Sequence, residues 1–138
     1  MQKIILPLFL LLLFLPESGR ADKFTAHLIT LPLIEGSGAV AALTTLKHAG
    51  SPVSKSAAIA NMGLLAVNSG LGLFTMIKKD KYRTIRRWHR IIGFSLTAAG
   101  IWLSLATSLD KGTAGKYIPY TAYGYTAMTL IPLLMFKF

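Results

Sequence analysis

Three histidines and one glutamate are the side chains in this sequence best suited to site chemistry: His27, His48, His89 and Glu35. Imidazole ligates metals and haem iron, and it titrates close enough to neutrality to move protons. A carboxyl group inside an apolar segment is expensive to insert, so Glu35 is read as a proton site within the membrane or as a hydrogen-bonding tie between helices. The chain has no cysteine. That removes thiolate metal sites, iron–sulfur clusters, disulfides and thiol nucleophiles. The sequence also lacks a nucleophile elbow, a phosphate-binding loop and a pair of histidines one helical turn apart. Nothing in it supports hydrolytic catalysis.

These residues sit in a chain of 138 residues, of which 53% are hydrophobic and concentrated in blocks. The length predicts one domain, and the blocks predict an all-α integral membrane protein rather than a soluble core. Residues 4–15 form an apolar block about 18 Å long as a helix, short for a hydrocarbon core of about 30 Å. Pro16, Glu17 and Ser18 end the block, and Gly19 and Ala21 supply small residues where a signal peptidase reads. Residues 1–21 are read as a signal peptide or an uncleaved anchor, and residues 22–138 as the membrane domain. Four spans follow, at 24–46, 57–77, 89–109 and 118–136. Short connections between them predict an up-down-up-down four-helix bundle. Pro32 is tolerated within the first span at the expense of one helical hydrogen bond. In the second, Asn61 and Asn68 are two turns apart on one face, and Ala66 with Gly70 makes a small-xxx-small pair suited to helix contact and to oligomers. Tyr117, Tyr120, Tyr123 and Tyr125 are expected in an interfacial aromatic belt, with Tyr82 and Trp88 on the other side.

Between the second and third spans lies a densely basic connector. Residues 78–90 carry seven of the fifteen lysines and arginines, in a chain of net charge +10. Positive charge between apolar spans points to anionic lipid headgroups and to topology rather than to nucleic acid. Cleavage after Ala21 would put nine basic residues outside and four inside, the reverse of the usual bias. An uncleaved first block would put the basic connector on the cytoplasmic side and obey it. The charge imbalance favours this second arrangement. The expected location is a bacterial inner membrane or an equivalent organelle membrane.

The alternating topology gives the histidines a relationship. His27 lies about one turn inside the first span and His89 opens the third. The two spans run in the same direction, so both imidazoles lie near one membrane face. Helices one and three of a simple bundle are diagonal, which lets the two rings approach a haem iron from opposite sides. Gly38 follows His27 by eleven residues, and Gly100 follows His89 by eleven. Eleven residues turn a helix within about 20° of three full turns, so each histidine has a glycine on its own face, where a flat cofactor would need space. Gly93, one turn after His89, adds another such position. Histidines at a membrane boundary also serve as plain interfacial groups, and the same spacing suits a cofactor-free bundle. His48 lies about 31 Å from His27 along one helix. No histidine in the second or fourth span pairs with it, and methionines such as Met62, Met76 and Met128 are ordinarily packing residues. At most one bis-histidine haem is available.

The run Trp88-His89-Arg90-Ile91-Ile92-Gly93, with basic residues before it and a span after it, resembles the helix openings of small transmembrane b-type cytochromes and ferric-reductase-like membrane domains. The resemblance covers the four-span layout and about six residues of motif. It implies haem b as cofactor, with His27 and His89 as axial ligands and Gly38, Gly93 and Gly100 giving it room. It also implies electron transfer with a quinone or a membrane oxidoreductase as partner. The alternative expectation is a cofactor-free membrane subunit or scaffold packing against partner helices. A proton-conducting unit built on Glu35 is the third.

Overall fold

The computed structural model describes residues 20–77, 83–111 and 114–135. The apolar block at 4–15, residues 78–82 of the basic connector and Lys137 lie outside the described residues. Four helices occupy what remains: α1 (Arg20–His48), α2 (Pro52–Ile77), α3 (Arg83–Ser108) and α4 (Ala114–Met135). Each begins earlier than its apolar span. The largest difference is in α3, which starts at Arg83, so the second half of the expected connector, up to Arg90, is helical. Arginine is a good helix former, and a helix need not stop where its hydrophobicity does.

Three of the helices are long and apolar enough to cross a membrane: α1 over His27–His48, α2 over Pro52–Thr75 and α3 over Arg83–Ser108. The fourth carries five of its 22 residues as tyrosine or lysine and two more as proline, Pro119 and Pro132, which dilute its apolar content.

Helix α1 packs on α2, α2 on α3, α3 on α4, and α4 returns to α1. The bundle is therefore closed, with α1 and α3 on one diagonal and α2 and α4 on the other. The core is built largely from small residues. Ala41, Ala42, Ala57, Ala58 and Ala122 are fully buried, with Leu103 and Tyr125 as the large members. Small residues let helix backbones approach closely, and the close approach multiplies dispersion contacts.

One antiparallel register joins α2 to α3. Ser54 donates to the Ala106 carbonyl at 3.1 Å, and Asn61 donates to the Ala99 carbonyl at 2.7 Å. Further along, a Cβ on Gly93 would lie 3.9 Å from Asn68 Oδ1, and one on Gly72 would lie 3.2 Å from His89 Cε1. The residue numbers of these four pairs total 160 or 161. The two helices thus stay in step over about 27 Å. The turn at Gly50-Ser51-Pro52 is fixed at the same end. Ser51 caps α2 through its hydroxyl, which accepts from the Val53 N–H at 3.2 Å, and Pro52 takes the first helical position. The Asp110 carboxylate accepts from the Ser51 N–H at 3.1 Å, tying the α1–α2 turn to the end of α3.

Candidate functional site

His27 and His89 meet. Their ring centroids are 6.1 Å apart and their planes are inclined at 69°. The reason is the phase of each helix. The buried positions of α1 run through Thr30, Ile34, Gly38, Ala41 and Thr45, and those of α3 through Leu96, Gly100, Leu103 and Thr107. At 100° per residue, His27 and His89 fall near the middle of those inward stripes, one to two turns beyond the densest packing. Diagonal helices bring two such side chains to the bundle axis without a neighbouring helix between them.

The pair has a polar setting. On the α2 side the Asn68 backbone faces the His89 ring, and Gly72 packs against it. The Nδ1 of His89 and the Oδ1 of Asn68 are buried with no hydrogen-bond partner among the described residues. On α1 the Thr30 hydroxyl donates to the His27 carbonyl at 3.1 Å, so Thr30 uses its proton locally.

The spacing and the donor set can be tested against a bound haem. A metal–imidazole bond of about 2 Å puts each ring centre about 3.2 Å from the ion, so two trans imidazoles stand about 6.3 Å apart. The observed 6.1 Å matches that separation. An inclination of 69° is compatible, because each ring turns independently about its own metal–nitrogen axis. The same distance also falls within the range of a direct edge-to-face ring contact. Chemistry of the donors distinguishes a haem from a bare ion. No group of three or more histidine, cysteine, aspartate or glutamate residues is assembled among the described residues. Two imidazoles are too few for the tetrahedral site of a bare zinc ion, but they would be enough protein donors for an iron that a porphyrin holds on its other four sides. The donor set is thus compatible with a haem iron.

The other expected positions separate into those near the histidines and those that are not. Gly93 lies at their level, beside Asn68. Gly38 and Gly100 do not open space there. Eleven residues put them about 16 Å deeper. A haem edge extends only about 8 Å from its iron. Their faces are filled instead by Tyr125, which reaches between α1 and α3 with no exposed surface. A Cβ on Gly38 would come 2.7 Å from Tyr125 Cε2, and one on Gly100 would come 3.4 Å from Tyr125 Cε1 and 2.9 Å from Thr126 Oγ1. The glycines are on the expected faces, but they accommodate a tyrosine from α4. This also removes Tyr125 from the expected aromatic belt. Tyr120 and Tyr123 remain exposed, Tyr123 with its hydroxyl 2.9 Å from that of Ser108.

Glu35 is half-buried on the flank of α1, about 80° around the helix from His27. Asn61 is not its hydrogen-bond donor, because both described bonds from the Asn61 amide go to backbone carbonyls, of Ala57 and Ala99. His48 is exposed in the last turn of α1, at the opposite end from the histidine pair. Met62 and Met128 pack partly buried against the core. Ala66 and Gly70 are exposed on α2 and face outward, so they do not mediate packing within the bundle.

The sequence does not single out Gly72 or Tyr125 as site residues. The register that brings Gly72 to His89 is set by the Asn61–Ala99 contact between two antiparallel helices, which only the structure shows. Nothing local marks Tyr125 as different from its three neighbouring tyrosines, since its burial depends on two glycines from other helices.

No protein family, curated protein or solved structure matches the chain.

Proposed function

We propose that this is a small integral membrane electron-transfer protein of four spans that holds one b-type haem between His27 and His89. The observation that carries the reading is the meeting of these two imidazoles at 6.1 Å across a bundle diagonal. When bound, the haem would supply a one-electron redox couple in a low-dielectric setting. The protein's own contribution is positional. His27 and His89 would hold the haem iron from the protein side, and with both imidazoles engaged the bound group would carry electrons rather than transform a molecule at the metal. The α2 backbone at Asn68 and the small Gly72 hold the His89 ring in place. Ile34, Leu96 and Tyr125 belong to the packed core deeper in the bundle than the pair. The site lies near the basic face, so a quinone or a membrane oxidoreductase would exchange electrons from that side. A bacterial inner membrane or an equivalent organelle membrane is the compartment this implies.

A cofactor-free subunit is the second reading. It is favoured by the outward faces of Gly63 and Gly70 on α2, where a Cβ would meet nothing within 4 Å. Such faces suit a partner helix.

A visible spectrum of the detergent-purified chain, before and after dithionite, tests the first reading. The expected result is a Soret band with sharp α and β bands on reduction, at one haem per chain, lost in both His27→Ala and His89→Ala. A featureless spectrum after expression with ample haem would overturn the electron-transfer reading and leave the packing subunit.

A further inference from the structure

Arg83, Thr84, Arg86, Arg87, Trp88, Arg90 and Ile91 lie side by side on the surface at the start of α3. All seven are exposed. At 100° per residue they cover an arc about 200° wide, and His89 falls at the centre of the remaining arc with Ile85 and Ile92 beside it. Those three are half-buried. The start of α3 therefore has two faces, one turned to the histidine pair and one turned away from the bundle. The arginines belong mainly to the second.

The outward face is ordered. Arg83, Arg87 and Arg90 fall at i, i+4 and i+7, and Thr84, Trp88 and Ile91 repeat that spacing one position later. The result is a cationic stripe alongside an apolar one, each about 10 Å long. Guanidinium groups match phosphate oxygens with paired hydrogen bonds. Trp88, 53% exposed, has the amphipathic ring that settles at a headgroup boundary. We infer that this face binds one anionic phospholipid, its phosphate on the Arg83–Arg87–Arg90 stripe and its glycerol and upper acyl chain over Trp88 and Ile91. A free phosphate would use only the first stripe and a zwitterionic lipid would gain little from it. An anionic amphiphile uses both. This inference rests on the membrane reading above and is independent of the haem.

Trp88 reports the site directly. The full-length Trp102→Phe chain keeps Trp88 as its single tryptophan, and it is reconstituted into dioleoylphosphatidylcholine vesicles. Brominated-chain phosphatidylglycerol or brominated-chain phosphatidylcholine is then titrated in as quencher. The anionic lipid is expected to quench Trp88 with about fivefold or greater preference. That preference should fall toward unity in Arg83→Gln/Arg87→Gln/Arg90→Gln, and in the unmutated arginine background at high salt, which requires no arginine substitution. Equal quenching by the two lipids would overturn the inference while leaving the membrane reading intact. Loss of the preference on adding millimolar inorganic phosphate would overturn it too, by revealing a site for a free anion. Absence of quenching by either lipid would overturn both the inference and the membrane placement of α3.

Discussion

Replacing Gly38 with alanine tests whether Tyr125, rather than a cofactor, uses the space at that glycine. The added Cβ would lie 2.7 Å from Tyr125 Cε2 and 3.2 Å from its Cζ. An ordinary carbon contact is about 3.5–4.0 Å, so the ring or the helix must move by about 1 Å. On its far side the ring faces Gly100, where a Cβ, were one present, would lie 3.4 Å from Cε1. The ring can shift only into the small space that this glycine leaves, and otherwise helix α1 separates from α4. Overpacking of this kind costs about 1–3 kcal/mol. Alanine regains about 0.5–1 kcal/mol of helix preference over glycine. The net expectation is a loss of between about 0 and 2.5 kcal/mol, and of about 1–3 kcal/mol relative to Gly36→Ala. Gly36→Ala is the internal control, since its Cβ would meet nothing within 4 Å and only the helix gain remains. Tyr125→Leu is the second control, because it removes the ring from Gly38, and Gly38→Ala should become neutral or stabilising in that background. Reversible unfolding in mixed micelles, followed by circular dichroism, measures all four chains. Equal stability of Gly38→Ala and Gly36→Ala would refute the wedge. A stability loss at Gly38 that persists without the Tyr125 ring, together with a displaced Soret band, would return Gly38 to the cofactor site.

Other outcomes follow from the same geometry. Tyr125→Phe should be neutral or stabilising by about 1 kcal/mol, because the buried hydroxyl has no partner among the described residues, whereas Tyr125→Ala should lose about 3–5 kcal/mol; chemical or detergent denaturation checks both. Asn61→Leu removes the bond to the Ala99 carbonyl and should cost about 0.5–1.7 kcal/mol by the same assay, in line with polar contacts between membrane helices. Gly72→Val pushes a branched side chain into His89 and should weaken haem retention about tenfold or more in a competition with apomyoglobin, while secondary structure persists. Glu35→Gln should leave the haem spectrum unchanged, since the residue lies on another side of α1 from His27; altered proton uptake in vesicles would instead support the conduction reading.

Much of this architecture was legible from amino-acid types alone. Apolar stretches separated by the Gly-Ser-Pro turn and by polar connections predict four helices, because a backbone in an apolar setting has to satisfy its own hydrogen bonds. The diagonal relation of α1 and α3 follows from short connections, and the inward phase of His27 and His89 from the 3.6-residue period. The helical start of α3 was not legible, because a hydropathy boundary is not a helix boundary. It is this early start that winds the arginines into an outward stripe instead of leaving them in a connector. The use made of Gly38 and Gly100 was also undecided. Periodicity fixes which side of a helix a glycine faces, but only packing determines what reaches it. Here Tyr125 enters from α4, a helix that neither glycine's spacing mentions. The sequence thus determined the helices and the faces they present. The tertiary structure decided the occupants of those faces, because occupancy depends on the register between helices far apart in the chain.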